Sequence, residues 1–197
     1  MPADRAPGWG IASRLAALLI GLGLCVPAHA FECTDLWDWL NKGCRRLADT
    51  YKNGGNELLV SGYAWHVPAT WTPERRAEEN ENAWGGGWGR TVERDNGDTD
   101  TVYFLAFLDS HKNVELNLGY GWSTYWGDRR WPQPGLGYTL LIIQRPDIAN
   151  GIPFPAILPL FSLRWQNATL VSTFIPTLNG GINHGSVLYV FGRIAID

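Results

Sequence analysis

Between Val114 and Ser123 the chain alternates without a break, and that alternation limits the possible folds more than any other feature of its 197 residues. Val114, Leu116, Leu118, Tyr120 and Trp122 fall on one parity; Glu115, Asn117, Gly119, Gly121 and Ser123 fall on the other. A strand turns successive side chains to opposite faces, so one face here is apolar and aromatic and the other small or polar. The amino terminus reads as an export signal. Arg5 and Arg14 precede an apolar run from Leu15 to Val26, and Ala28-His29-Ala30 offers a small-residue cleavage site before Phe31. The run is about 12 residues, too short to cross a bilayer as a helix, and no second long apolar helix follows. In an exported chain, strands apolar on the outside predict a barrel wall facing lipid.

Removal of residues 1–30 takes Asp4, Arg5 and Arg14 and leaves 14 basic and 18 acidic side chains, a net charge of −4. No long basic run remains, so nucleic acid is not an expected partner. Of the 11 Trp, Trp9 leaves with the signal, and the remaining 10 suit either aromatic girdles at two membrane interfaces or a Trp-rich soluble core. Cys25 leaves with the signal. Cys33 precedes, and Cys44 lies within, a predicted amphipathic helix over about 34–48. On one continuous helix they would lie about 16 Å apart, too far to bridge. Either the helix starts after Cys33 and the chain folds back, or both thiols stay free. Two thiols are too few ligands for a metal site, and no metal or cofactor is expected.

The rest divides into eight strand candidates: Leu58–His66, Trp84–Arg94, Thr99–Leu108, Val114–Tyr125, Gly135–Gln144, Ala156–Trp165, Ala168–Ile175 and Ser186–Ile196. The predicted organisation is a signal at 1–30 and one domain at 31–197, with a barrel from about residue 57. The connections at 95–98 and 166–167 are tight, whereas those at 67–83, 146–155 and 176–185 are long. Outer-membrane barrels have short periplasmic turns and long external loops. The fold class expected is therefore all-β: an eight-stranded antiparallel transmembrane barrel with a periplasmic amino-terminal helix.

That orientation carries His66 to the outer rim, where Asp109 and Ser110 also lie at the top of the third strand. Adjacent residues in a regular strand face opposite ways, so Asp109 and Ser110 are expected on a bend. Strands one and three stand roughly 10 Å apart across the sheet, a gap that loops folding over the mouth could close. Val102–Leu108 and Gly137–Ile143 are largely apolar on both faces, which predicts an apolar interior. With Gly119 and Gly121 on the inner wall, such a bore suits a hydrocarbon chain.

Tyr63-Ala64-Trp65-His66, Trp84-Gly85-Gly86-Gly87-Trp88-Gly89, Phe107-Leu108-Asp109-Ser110, Gly119-Tyr120-Gly121-Trp122, the segment Ile152–Leu160 and Ile175-Pro176 occur in the order and at the spacing of one known family. By these motifs the chain resembles the lipid A palmitoyltransferase (PagP) family over about residues 37–196. The resemblance implies an outer-membrane enzyme that moves a palmitoyl chain from a phospholipid to a hydroxyacyl chain of lipid A. It needs no cofactor, and a monomer with membrane lipids as partners is expected. The essential residues it implies are His66, Asp109 and Ser110. Their chemistry fits: an imidazole base, a carboxylate that can hold its tautomer, and a hydroxyl that can be an oxyanion donor or a nucleophile. His111 and His184 read as loop residues.

Gly121 matches the glycine that sets acyl length. Pro159 and Pro176 match prolines that interrupt the ladder between strands six and seven and open a lateral path for lipid. Ser61 and Ala83 stand where the family has prolines at a second opening. The chain ends Ile194-Ala195-Ile196-Asp197, where the family ends on an aromatic residue. The alternative is a non-catalytic barrel that binds or ferries lipid.

Overall fold

The computed structural model describes Cys33, residues 37–178 and residues 184–196. The predicted signal at 1–30 lies outside these residues. Helix α1 (Asp38–Asn53) comes first, followed by β1 (Gly55–His66), the short helix α2 (Pro73–Glu78) and β2 (Asn82–Glu93). Six strands complete the chain: β3 (Thr99–Leu108), β4 (Val114–Tyr125), β5 (Gln133–Gln144), β6 (Phe154–Trp165), β7 (Ala168–Ile175) and β8 (Val187–Ala195). Each strand pairs with the next, and β1 closes on β8, so the sheet is a closed eight-stranded antiparallel barrel. Closure leaves no sheet edge, the condition for a sheet to stand in lipid. No described helix is long and apolar enough to cross a membrane.

The alternation read in β4 holds in space. Glu115, Asn117 and Ser123 are buried inside, whereas Val114 and Leu118 are exposed outside. Leu136, Leu140, Ile142, Phe161, Leu163 and Leu170 continue the apolar outer band on neighbouring strands. Exposed Trp65 and Trp84 flank the band at one end, and exposed Trp126, Trp131 and Trp165 at the other.

The interior departs from expectation. Toward the end bearing His66 an apolar cluster of Leu105, Phe107, Leu141, Leu160, Tyr189 and Phe191 is buried together, with Glu115 and Asn117 beside it. Toward the helix end it is polar: Glu57, Thr99, Thr101, Ser123, Gln133, Thr169 and Arg193 are all buried. Arg193 Nη1 donates to Thr101 Oγ1 at 2.7 Å and its Nε lies 3.3 Å from Glu57 Oε2. Arg164 Nη2 donates to Gln133 Oε1 at 2.9 Å. This layer is assembled from one or two residues per strand, so no single strand betrays it.

Helix α1 begins four residues later than expected and runs on to Asn53, with residues 34–36 outside those described. The late start settles the cysteines. Cys33 lies outside the helix and forms a disulfide with Cys44, with Cα atoms 5.8 Å apart. The helix lies against β2 and β3 through charge. Asp100, fully buried, accepts from Arg46 Nε at 2.7 Å, Arg94 Nε at 2.6 Å and the Tyr120 hydroxyl at 2.6 Å. Arg94 also pairs with Asp49 of the helix. A carboxylate on the outer face is tolerable there only because three donors satisfy it.

Candidate active site

Two loops make the site. β1 ends at His66, whose ring is fully buried. Beyond it a single turn at Pro68–Thr70 brings Trp71 back over the imidazole, edge to face, with ring centroids 4.8 Å apart. Trp71 is pinned by its indole N–H, which donates to Ser186 O at 3.0 Å. The β1–β2 loop is tied to the β3–β4 turn by Asn80, whose backbone N–H donates to Ser110 O at 2.8 Å.

Asp109 and Ser110 sit on the expected bend, immediately after β3. Asp109 Oδ1 accepts from the backbone N–H of His111 at 2.9 Å and of Asn113 at 2.7 Å. This local bonding makes an aspartate a turn residue. Lys112, at φ 63°, completes the reversal. The turn delivers Ser110 Oγ to 2.9 Å from His66 Nε2. The gap between the first and third strands is thus closed by the turn.

Asp109 is placed differently from His66 and Ser110. The carboxylates within 4.0 Å of the His66 ring, among the described residues, are Glu79 and Glu81. Asp109 Oδ2 turns instead toward Arg145 Nη2 at 3.5 Å. The carboxylate expected to hold the imidazole therefore shapes the turn. Burial pushes the Glu81 carboxyl up, but hydrogen bonds from the Tyr63 hydroxyl and the His66 backbone N–H prevail and hold it below the usual range. Glu79 and Glu81 were not singled out from sequence. They belong to Glu78-Glu79-Asn80-Glu81 in the long connection at 67–83, and only the loop's fold brings two of these carboxylates to His66.

Arg145 gathers further charge at the rim, 2.8 Å from Asp147 and 3.7 Å from Glu115. Asp109, His111 and Asp147 bring possible metal-ligating atoms within 4.8 Å of one another. The Arg145 guanidinium already lies against both of these carboxylates, so it opposes a cation there. His184 lies beside Trp71, with ring centroids 6.4 Å apart.

Below the His66–Ser110 pair an apolar cavity of about 170 Å³ descends between Phe107, Leu141, Ile143, Leu158 and Tyr189 to Tyr103, Thr139, Leu160 and Phe191. Tyr103 and Thr139 hydroxyls share a hydrogen bond of 2.8 Å at its foot. Gly121 lies just beneath. A Cβ there would meet Leu160 Cδ1 at 3.4 Å and Tyr103 Cε1 at 3.9 Å.

The wall is discontinuous beside the cavity. β6 pairs with β7 only from Leu160↔Thr173 to Trp165↔Ala168, although β6 begins at Phe154 and β7 runs to Ile175. Pro159 stands where the ladder stops, its carbonyl accepting from Thr173 Oγ1 at 2.8 Å, and Pro176 follows the end of β7. Leu158 and Ile175, on either side of the gap, both line the cavity. The seam between β1 and β2 is different. The register shifts between Ser61 and Tyr63, and Ser61 Oγ donates across the seam to Ala83 O while touching the Tyr189 hydroxyl at 2.5 Å.

A closed barrel with an apolar outer band and a buried His66 bonded to a half-buried Ser110 above an apolar cavity defines a membrane barrel built like an enzyme. The model of the "Antimicrobial peptide resistance and lipid A acylation protein PagP" family matches residues 46–193. The chain belongs to the PagP family. It is 41% identical over 170 residues to "Lipid A acyltransferase PagP" of Bordetella parapertussis, covering 86% of this chain and 92% of the relative. It is 36% identical over 164 residues to the protein of that name in Legionella pneumophila, covering 83% and 86%. For the one in Methylobacillus flagellatus the identity is 32% over 185 residues, covering 94% and 96%.

Proposed function

We propose that this barrel moves a palmitoyl chain from a glycerophospholipid to a hydroxyacyl chain of lipid A, in the outer membrane, as a monomer exported by a cleaved signal. Acyl transfer to lipid A is the activity named for its relatives. The observation that carries the mechanism is the 2.9 Å contact between Ser110 Oγ and His66 Nε2 at the head of an apolar cavity. A barrel that only ferried lipid would have no use for it.

The chemistry runs in two balanced halves. His66 Nε2 takes the Ser110 proton as Oγ attacks the ester carbonyl of the phospholipid. The tetrahedral intermediate collapses, the glycerol oxygen leaves, and the imidazolium returns the proton to it. Ser110 now carries the acyl chain. The lipid A hydroxyl then gives its proton to His66, attacks the acyl-serine, and regenerates the Ser110 hydroxyl. Ser110 is taken as the nucleophile because its Oγ lies 2.9 Å from His66 Nε2, a nitrogen placed to receive the hydroxyl proton.

The donor's acyl chain enters sideways past Pro159 and Pro176, where the β6–β7 ladder stops. Moving a chain from bilayer to bore exchanges one hydrocarbon environment for another, so length is chosen by fit rather than hydrophobic gain. A misfitted methylene is worth about 1–3 kcal/mol in selection. Gly121 acts as the floor of that measure, under Tyr103 and Leu160.

Purified barrel in detergent, given dipalmitoyl phosphatidylcholine and lipid A, should produce lipid A heavier by one palmitoyl group in mass spectra, with lysophospholipid in equal amount. Omitting lipid A should leave the acyl group on Ser110. Lipid A of unchanged mass would overturn the reading; transfer without acyl-serine would overturn the covalent step alone.

A further inference from the structure

We propose that Glu81 is the positioning residue of His66, so that Ser110, His66 and Glu81 form the working line of groups at the head of the cavity. This rests on the transfer reading above. Glu81 lies one residue before β2, and two donors aim it. The Tyr63 hydroxyl donates to Oε2, and the backbone N–H of His66 itself donates to Oε1 at 3.2 Å. So held, Oε1 stands 3.6 Å from His66 Nδ1. Nδ1 is buried and has no hydrogen-bond partner. A buried ring N–H is costly to leave unpaired, and this acceptor is within a fraction of an ångström of bonding distance. Catalytic hydrogen bonds are commonly long without substrate and close when it binds.

The other carboxylates face away from Nδ1, although Asp109 Oδ2 and Glu79 Oε2 also lack a hydrogen-bond partner. Asp109 spends Oδ1 on two turn N–H groups and faces Arg145 with Oδ2. Glu79 Oε2 lies on the opposite side of the ring, 4.0 Å from Nε2, and 3.8 Å from His111 Nε2. Glu81 is thus the carboxylate on the Nδ1 side. With the Nδ1 proton directed at it, Nε2 presents its lone pair to Ser110. When Nε2 takes the serine proton, Glu81 stabilises the imidazolium while the Nδ1 proton stays on nitrogen.

The groups facing His66 are Glu79 and Glu81 from the β1–β2 loop and Ser110 from the β3–β4 turn, with the uncharged edge of Trp71. Tyr63 and His111 act on it through the two glutamates. Removing the Glu81 charge makes the imidazolium harder to form, which lowers the apparent pKa of the base.

The test is transfer from dipalmitoyl phosphatidylcholine to lipid A in detergent micelles, with kcat and KM followed over about pH 5–9, the window in which an imidazole titrates. Glu81→Gln should lose on the order of 10²-fold or more in kcat with KM little changed, and the acidic limb should move to lower pH. Glu81→Asp should recover part of both effects, and Tyr63→Phe, which frees one restraint, should fall between. A folded Glu81→Gln with wild-type kcat and limb overturns the proposal, as does lower activity with an unmoved limb. Should that variant not fold, wild-type kcat and limb in both Glu81→Asp and Tyr63→Phe overturn it. His66→Ala is measured alongside. If wild type and His66→Ala behave alike, it is the transfer reading that fails, not the place of Glu81.

Discussion

The ring of Tyr103 occupies the space that a side chain at Gly119 would need: a Cβ there would stand 2.3 Å from Tyr103 Cζ. Tyr103 cannot simply swing away, because its ring is buried and its hydroxyl is held by Thr139 at 2.8 Å. Gly121, two residues on, meets nothing closer than 3.4 Å. The two inward glycines of β4 therefore have different reasons to be glycine.

Gly119→Ala should destabilise the barrel by about 1–3 kcal/mol through overpacking, read as a lower unfolding midpoint in detergent. Gly121→Ala should unfold near wild type. Equal destabilisation by the two substitutions would refute the distinction.

Gly121→Ala should shift the preferred acyl chain toward shorter lengths, and Gly121→Met further. The added atoms press on Leu160 and Tyr103 at the foot of the cavity. Phospholipids of graded chain length offered to each folded variant give the profile. An unchanged profile in Gly121→Met removes Gly121 from the ruler.

Asp109→Ala should abolish most transfer, by about 10²-fold, since the turn that aims Ser110 loses its acceptor and misplacement of that order is costly. Asp109→Asn keeps a side-chain oxygen for the His111 and Asn113 N–H groups and should retain more activity than Ala. Parallel assays of the two variants decide the point. Equal loss would mean that the charge facing Arg145, rather than the turn, is what transfer needs.

Joining Leu158→Cys to Ile175→Cys with a bifunctional thiol reagent should close the β6–β7 gap and slow transfer from bilayer phospholipid. The effect should reverse with a cleavable linker. Full activity in the tethered barrel would exclude this seam as the donor's route.

Helix α1 should loosen in acid. Its Asp49 carboxyl is held below the usual range by the hydrogen bond from Arg94, with Asn53 adding to it. A carboxyl lowered on folding stabilises above the ordinary carboxylate pKa, and that stability is lost as pH falls through the folded value. Proteolysis of the helix should therefore increase below about pH 4 while the barrel resists. Asp100→Ala should give the same susceptibility at neutral pH.

Much of the wall was legible in the order of residues alone. Side chains in a strand repeat every two residues, so inside and outside separate along the chain. β3, β4 and β7 begin and end at the residues predicted from the sequence. The same rule required Asp109 and Ser110 to leave the strand before they could cooperate. What lay beyond sequence depends on residues meeting across strands and loops. The polar layer of Arg193, Glu57 and Thr101 comes from three different strands. The Cys33–Cys44 pair depended on where a helix begins, and local propensity leaves that open. Whether Asp109 or Glu81 faces His66 Nδ1 was decided by loop closure, because hydrogen bonds act over about 3 Å and sequence spacing does not specify position on that scale.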